Sequence, residues 1–106
     1  MKQITNIYII ADTSFRMQRN KERLQTILNK YARVLNFEKG KANLHIIGYN
    51  DKAKILSPSK RITTNGNPNL GEGLKLLESV IKYQRKYDEK QTRSVLISII
   101  EYICFL

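Results

Sequence analysis

The first apolar segment of the chain is a short run, mostly β-branched, in which apolar and polar positions hardly alternate. It extends from Ile4 to Ala11 and stops at the polar residues Asp12, Thr13 and Ser14. Strands that are buried on both faces have this pattern, because neither face needs polar side chains. The segment is therefore predicted to be a fully buried strand.

A helix is predicted between Met17 and Phe37, because apolar residues recur there at helical spacing. Gly40 follows this segment as a stop signal. The predicted apolar stripe consists of Leu24, Ile27, Leu28, Tyr31 and Leu35. The other faces carry basic residues, namely Arg19, Lys21, Arg23, Lys30 and Arg33. We therefore expect an amphipathic helix whose exposed side is strongly basic.

A second amphipathic helix is predicted after the turn-rich segment 62–69. It has two candidate caps, either Asn67 with Pro68 in the first turn or Asn69 with Glu72 three residues later. Its predicted buried stripe consists of Leu70, Leu74, Leu77 and Ile81. Its predicted outward face carries Lys75, Lys82, Arg85 and Lys86.

Three more strands complete the predicted sheet. Ala42–Tyr49 contains a second apolar run, Lys52–Leu56 alternates like a half-exposed edge strand, and Ser94–Phe105 is another buried strand. The chain, 1–106, is thus a single domain with the order β-α-β-β-α-β. This order predicts an α/β architecture, a doubly wound and mostly parallel sheet flanked by helices. Ligands bind such sheets at the carboxyl ends of strands, which directs attention to the segment after Ala11.

The charge of the chain is strongly unbalanced. Nineteen Lys and Arg against nine Asp and Glu give a formal net charge of +10, which attracts phosphate backbones, anionic lipid or an acidic protein surface. Cys104 is the single cysteine, so an internal disulfide is excluded and a reducing compartment is expected. The apolar stretch from Ile7 to Ala11 is too short for a signal peptide or a membrane span. We therefore expect a cytoplasmic protein that does not insert into a membrane.

The loop Asp12–Arg16 resembles the metal-binding loop Asp-x-Ser-x-Ser of the von Willebrand factor type A (VWA) domain. Three further segments resemble that family in the same order. Gly48–Pro58 is similar to its second and third strands, Asn67–Leu74 to its loop and helix start Gly-Thr-x-Leu-Gly-x-Ala-Leu, and Arg93–Ile100 to its fourth strand. The resemblance is nearest to bacterial intracellular members linked to tellurium resistance and stress responses. It implies a truncated VWA-like (Rossmann-like) doubly wound sheet, mostly parallel with one antiparallel edge strand.

The resemblance also implies a degenerate metal site. In that family a divalent cation, usually magnesium, is held by the loop Asp, two Ser, a Thr and a final Asp, all of them hard oxygen ligands. Asp12 and Ser14 match the first two positions, but Arg16 replaces the second Ser and Pro68 replaces the Thr. The final Asp falls at position 101 or 102. We therefore expect no bound cofactor, and residual magnesium binding at Asp12 and Ser14 stays an alternative.

The arginine of this loop has two interpretations. One hypothesis places Arg16 where the cation would lie, paired through its planar donor fork with Asp12 and Glu101. The other has Arg16 pointing into solvent as the first basic residue of the helix. The two hypotheses differ in the distance between the guanidinium and the carboxylates, because an ion pair with hydrogen bonds requires close contact.

The fourth strand is expected to be an edge of the sheet. Members of the family continue past this strand, which is central in their strand order 3-2-1-4-5-6, whereas this chain stops on it. The predicted association edge consists of Val95, Ile97, Ile99, Ile103 and Phe105. An unpaired apolar edge is a template for another strand. We therefore expect a homodimer in which two fourth strands pair about a twofold axis.

No catalytic set is recognisable in the sequence. His45 and Cys104 stand alone, without a ligand or base at suitable spacing, and the glycines form no phosphate-binding motif. We therefore expect a non-enzymatic interaction or assembly module whose partner is a protein or a second copy. Two alternatives stay open. One is binding of nucleic acid or another polyanion through the basic surface of the two helices, and the other is magnesium-dependent ligand binding at Asp12 and Ser14.

Overall fold

A computed structural model of the chain describes residues 4–36, 42–57, 60–87 and 93–100. The strands are β1 (Ile4–Asp12), β2 (Ala42–Tyr49), β3 (Ala53–Leu56) and β4 (Arg93–Ile100). The α-helices are α1 (Lys21–Asn36) and α2 (Leu70–Tyr87), and a 3-10 helix, Phe15–Asn20, precedes α1. This order confirms the predicted alternation of strands and helices and the mixed α/β class.

β1 is an inner strand of the described sheet, whose order is β3-β2-β1-β4. It runs parallel to both of its neighbours, so that Ile9 lies level with Ile46 in β2 and with Ser98 in β4. β3 pairs antiparallel with β2, as predicted, although it begins at Ala53 rather than at Lys52. The sheet is therefore mostly parallel, with one antiparallel strand at its edge.

Successive residues of β1 point to opposite faces of the sheet, and both faces are covered. One core cluster joins the strands to the 3-10 helix and α1, and contains Ile7, Ile9, Ala11, Met17, Leu24, Leu28, Ile46 and Ile62. The other joins the strands to α2, and contains Tyr8, Ile10, Ile47, Tyr49 and Leu77. Burial of each large apolar side chain stabilises the fold by about 1.5–3 kcal/mol. The prediction that the first strand is buried on both faces is confirmed.

The predicted first helix is divided into two parts, the 3-10 helix and α1. Met17 in the 3-10 helix is buried, as are Leu24 and Leu28 in α1, so the apolar stripe continues through the junction. Tyr31 was predicted on this stripe but is 39% exposed.

The start of α2 agrees with the second of the two predicted caps. The helix begins at Leu70, directly after Asn69. The carbonyl of Asn69 accepts a hydrogen bond of 3.1 Å from the Glu72 amide, which closes the first turn. Asn69 therefore occupies the residue position directly before the helix, where the second predicted cap placed it.

The predicted stripe of α2 is wrong at Leu74, which is 42% exposed. Gly73 faces the sheet instead. A Cβ atom on Gly73 would lie 3.2 Å from Tyr49 Cδ1 and 3.3 Å from Ile10 Cγ2, so the helix backbone approaches the sheet closely at this point. The buried face continues with Leu77 and with the partly buried residues Leu70, Leu76, Val80 and Ile81. The spacing of apolar side chains cannot identify Gly73 as a contact residue, because glycine has no side chain.

Several predicted site residues fall outside the described part of the chain, namely Glu101, Ile103, Cys104 and Phe105. The other predicted edge residues, Val95, Ile97 and Ile99, belong to β4. Arg85 and Lys86 belong to the last turns of α2. Across the described ranges, no helix has the length and apolar character needed to cross a membrane.

Candidate functional site

The loop that follows β1 is fixed by two neighbouring segments at the carboxyl end of the sheet. The Thr13 amide and hydroxyl both donate to the Tyr49 carbonyl, at 2.9 and 3.1 Å. The Asn65 amide donates to the Thr13 carbonyl (3.1 Å), and the Phe15 amide donates to the Gly66 carbonyl (2.8 Å). The backbone of this loop is therefore held between the end of β2 and the segment before α2.

The segment before α2 is itself braced by the turn between β2 and β3. Asn50 Nδ2 donates to Asn65 Oδ1 (2.9 Å), and the Asn67 amide donates to Asp51 Oδ2 (3.3 Å). Gly66 has a φ of 75°, a region that favours glycine. A Cβ atom on Gly66 would also collide with the Asp51 carboxylate. Asp51 thus serves as a brace for the loops.

Asp12 ends β1 and is the buried acid of this region, with no exposed surface. Its Oδ1 accepts a hydrogen bond of 2.8 Å from the Ser14 amide. Its Oδ2 accepts a hydrogen bond of 2.5 Å from Arg16 Nε, which also forms an ion pair. Both carboxylate oxygens therefore have donors, as a buried charge requires.

Arg16 bridges the buried carboxylate and the solvent. Its side chain retains 36% of its exposure, whereas that of Asp12 retains none. The hydrogen bond to Asp12 raises the pKa of Arg16 above its ordinary value, although burial of the group acts in the opposite direction, and Tyr49 adds a smaller increase. Arg16 therefore remains a cation wherever the protein is folded.

This loop does not fit a magnesium ion. Both oxygens of Asp12 already accept hydrogen bonds, and the guanidinium of Arg16 brings a positive charge to the place where a cation would bind. Pro68, at the position of the family's Thr, has no side-chain oxygen. Among the described residues, no group of three or more His, Cys, Asp or Glu could hold a metal. Ser14 contributes a buried hydroxyl that lacks a hydrogen-bond partner within the described part of the chain.

An exposed aromatic residue beside this loop was not singled out by the sequence analysis. Phe15 is 57% exposed, although it lies between the buried residues Ser14 and Met17. An open depression of about 530 Å³ is lined by Phe15, Arg16, Gln18 and Arg19. The sequence contained no signal for this exposure, because a single apolar residue can lie either in the core or on the surface.

The predicted basic surface is divided between the two sides of the sheet. Arg19, Arg23, Lys30 and Arg33 are exposed on the side of α1, whereas Lys21 is half-buried. Lys82 is exposed on α2, on the opposite side, and pairs with Glu78 at 3.1 Å. The two helices therefore present separate basic regions.

His45 packs within the sheet. Its ring stacks on Tyr8 with a centroid distance of 4.7 Å and an interplanar angle of 16°. His45 Nε2 lies 3.4 Å from Asn6 Oδ1, which also accepts a hydrogen bond of 3.4 Å from Asn43 Nδ2. Asn6 is buried, so this group of strand residues satisfies a buried amide oxygen.

No protein-family model matches the chain, and no curated protein matches it either. The resemblance to the VWA family accordingly stays a prediction, and the chemistry of the site follows from its own residues. Those residues form a loop with a buried carboxylate, a partly exposed guanidinium and an exposed aromatic ring.

Proposed function

We propose that this protein is a non-enzymatic interaction module that assembles with a second copy of itself through β4. The pairing of β4 supports this proposal. All eight residues of the strand pair with β1, and no strand in the described part of the chain pairs with its other edge. An edge with unpaired N–H and C=O groups is a template for a further strand.

A second copy suits this edge better than the opposite edge of the sheet. β3 has only four residues and carries the exposed Lys54, two features that oppose pairing. β4 is twice as long, and Arg93 at its start is its only charged residue. Antiparallel pairing about a twofold axis places the two Arg93 residues at opposite ends of the pair. Like charges therefore stay apart, and the two sheets become continuous.

We also propose that the chain is a VWA-like domain in which Arg16 takes the place of the metal. The strand order β3-β2-β1-β4 supports this assignment, as does the 2.5 Å contact between Arg16 Nε and Asp12 Oδ2. In this arrangement Arg16 neutralises Asp12, and the loop needs no divalent ion to keep its shape. The single cysteine supports a reducing compartment, the cytoplasm.

Size-exclusion chromatography with light scattering at moderate salt tests the assembly. We expect a concentration-dependent species of twice the monomer mass of 12.4 kDa. Ser98→Lys introduces a charge within β4 and is expected to shift the equilibrium to monomer. Ser79→Lys is the matched control, because it adds the same charge at an exposed position of α2 and is expected to leave the dimer intact.

Amide hydrogen exchange locates the interface. In the dimer, the β4 amides that point away from β1 are expected to gain protection as the protein concentration rises. Far-UV circular dichroism is the control that tests whether Ser98→Lys remains folded. A wild-type chain that is monomeric at every concentration, or a dimer that Ser98→Lys leaves unchanged, would overturn the proposal.

A further inference from the structure

The depression beside the loop presents an aromatic ring between cations. Phe15, 57% exposed, shares the lining with Arg16, Gln18 and Arg19. An exposed phenyl ring forgoes much of the stabilisation that burial in the core would give it. A ring of this kind, placed next to guanidinium groups, offers a stacking face and a cationic rim to a flat, anionic ligand.

The backbone under this depression is rigidly held. The Phe15 amide donates to the Gly66 carbonyl (2.8 Å), the Met17 amide donates to the Ser14 carbonyl (3.1 Å), and Met17 is fully buried. The Arg16 guanidinium is fixed through its Nε by Asp12. A bound ligand therefore orders little of the protein. This favours binding, because the conformational entropy of these residues is already lost when the protein folds.

A basic ridge extends from this depression along α1. Arg23, Lys30 and Arg33 are exposed, and their spacing of seven and three residues places them on one side of the helix. Leu24 and Leu28 on the opposite side are buried. With a rise of about 1.5 Å per residue, the ridge from Arg23 to Arg33 is about 15 Å long. Arg19 joins it to the depression.

The acidic residue nearest to the ridge does not cancel its charge. Glu22 forms an ion pair of 2.7 Å with Arg61. Arg61 belongs to the segment before α2. Its positive charge lies beside the ridge and balances the negative charge of Glu22. The exposed side of α1 and its 3-10 helix therefore keeps a positive field, which attracts an extended polyanion.

We propose that this surface binds single-stranded nucleic acid. An unpaired base stacks on Phe15, the Arg16 and Arg19 guanidinium groups contact the adjoining phosphates, and the ridge on α1 follows the backbone. Single strands are favoured over a duplex because only an unpaired base exposes its face to a ring. They are favoured over an acidic peptide because carboxylates make no use of an aromatic platform. This function goes beyond the assembly through β4 and does not depend on it.

Fluorescence anisotropy with a labelled oligothymidylate tests the proposal, with a duplex of equal length and polyglutamate as competitors. We expect binding that weakens as salt rises and competition by unlabelled single strands only. Phe15→Ala and the bulkier Phe15→Leu are expected to weaken binding about 5-fold to 150-fold, the effect of losing one stacked base. The matched control is Tyr83→Ala, which removes an aromatic ring that is 61% exposed on α2 and is expected to leave affinity unchanged.

The charges are tested in the same assay. Arg19→Gln is expected to reduce the slope of log affinity against log salt by about 0.7, the value for one phosphate contact on a single strand. Lys82→Gln, on the opposite side of the sheet, is expected to leave the slope unchanged. Equal affinities of folded Phe15→Leu and Tyr83→Ala, equal binding of duplex, or equal competition by polyglutamate would each overturn the proposal.

Discussion

Asp12 and Arg16 show how one residue determines the environment of another in this loop. Asp12 is completely buried, and Arg16 and the Ser14 amide are its described hydrogen-bond partners. Because Arg16 is partly exposed, it can be hydrated without its partner, whereas Asp12 cannot. The pair is therefore asymmetric, and loss of the cation should cost more than loss of the anion.

Arg16→Met is expected to lower the free energy of unfolding by roughly 3–5 kcal/mol, the cost of a buried charge left without its partner. Asp12→Asn should cost less, and the double variant should recover part of the loss of Arg16→Met. Urea unfolding of the two single variants and the double variant measures this coupling. Additive losses would show that the two groups do not interact.

The raised pKa of Arg16 determines the pH dependence of this coupling. A group whose pKa is higher in the folded state stabilises the protein fully below its unfolded pKa, and loses that contribution as pH rises through the folded one. For an arginine, that range lies far above neutral pH. The contribution of Arg16 should therefore be constant from neutral to moderately alkaline pH, and urea unfolding of wild type and Arg16→Met across that range measures it.

Magnesium is expected to leave the melting temperature unchanged. A ligand that binds the folded state raises stability in proportion to the logarithm of its concentration over its Kd, and the loop around Asp12 offers a divalent ion no free carboxylate oxygen. Thermal unfolding with magnesium chloride is compared with sodium chloride at equal ionic strength. A rise specific to magnesium would contradict the proposed role of Arg16 as the resident cation.

At the scale of elements, α2 depends on a glycine that allows it to approach the sheet. Gly73 faces Tyr49 and Ile10, both fully buried. Gly71, two residues earlier, is exposed, and a Cβ atom there would meet only the Asn69 side chain, at 3.2 Å. The same substitution at the two glycines therefore separates helix propensity from packing.

Gly71→Ala is expected to stabilise the protein by up to about 1 kcal/mol, because alanine favours a helix over glycine. Gly73→Ala gains the same propensity but presses a methyl group into rigid neighbours, a cost of about 1–3 kcal/mol. Chemical denaturation of both variants measures the difference. Equal stabilities would mean that Tyr49 and Ile10 give way to the methyl group.

Two leucines of α2 test which of its faces is buried. Leu77→Ala is expected to cost about 2–4 kcal/mol, because Leu77 lies in the core. Leu74→Ala should cost less than about 1 kcal/mol, because Leu74 is largely exposed. Urea unfolding distinguishes them, and a loss at Leu74 as large as that at Leu77 would restore the stripe predicted from the sequence.

At the scale of the whole molecule, the net charge of +10 acts against the compact state. The described ion pairs Arg61–Glu22 and Lys82–Glu78 are highly exposed, so they stabilise little. Added salt should therefore weaken the repulsion among the basic residues more than it weakens these two ion pairs. In the proposed assembly, the same screening would reduce the repulsion between two copies that meet at β4.

The melting temperature is expected to rise between about 0.01 M and 0.1 M sodium chloride, over which the Debye length falls from about 30 Å to about 10 Å. Calorimetry at low protein concentration, where the monomer dominates, measures the effect without a contribution from assembly. A melting temperature that falls with salt would show that favourable pairs outweigh the net repulsion.

The sequence predicted those features that follow from local periodicity. The run from Ile7 to Ala11 identified a strand buried on both faces, and the bounds Ala42–Tyr49 agree with those of β2. Apolar patterns predict these features, because burial of a whole strand or stripe leaves little choice of side chain. The hypothesis of an Arg16 cation beside Asp12 had a different origin, the resemblance of this loop to the VWA metal site, in which Arg16 replaces a ligand.

Only the tertiary structure decided features that depend on distances between segments far apart in the chain. Gly73 replaced Leu74 on the buried face of α2 because the helix approaches Tyr49 closely. Phe15 is exposed although Ser14 and Met17 beside it are buried, in a loop whose backbone is bonded to the distant Gly66. The burial of Gly73 and the exposure of Phe15 both depend on how the elements pack against one another. The chain pattern determines which elements form, and their packing determines which side chains are left to bind a partner.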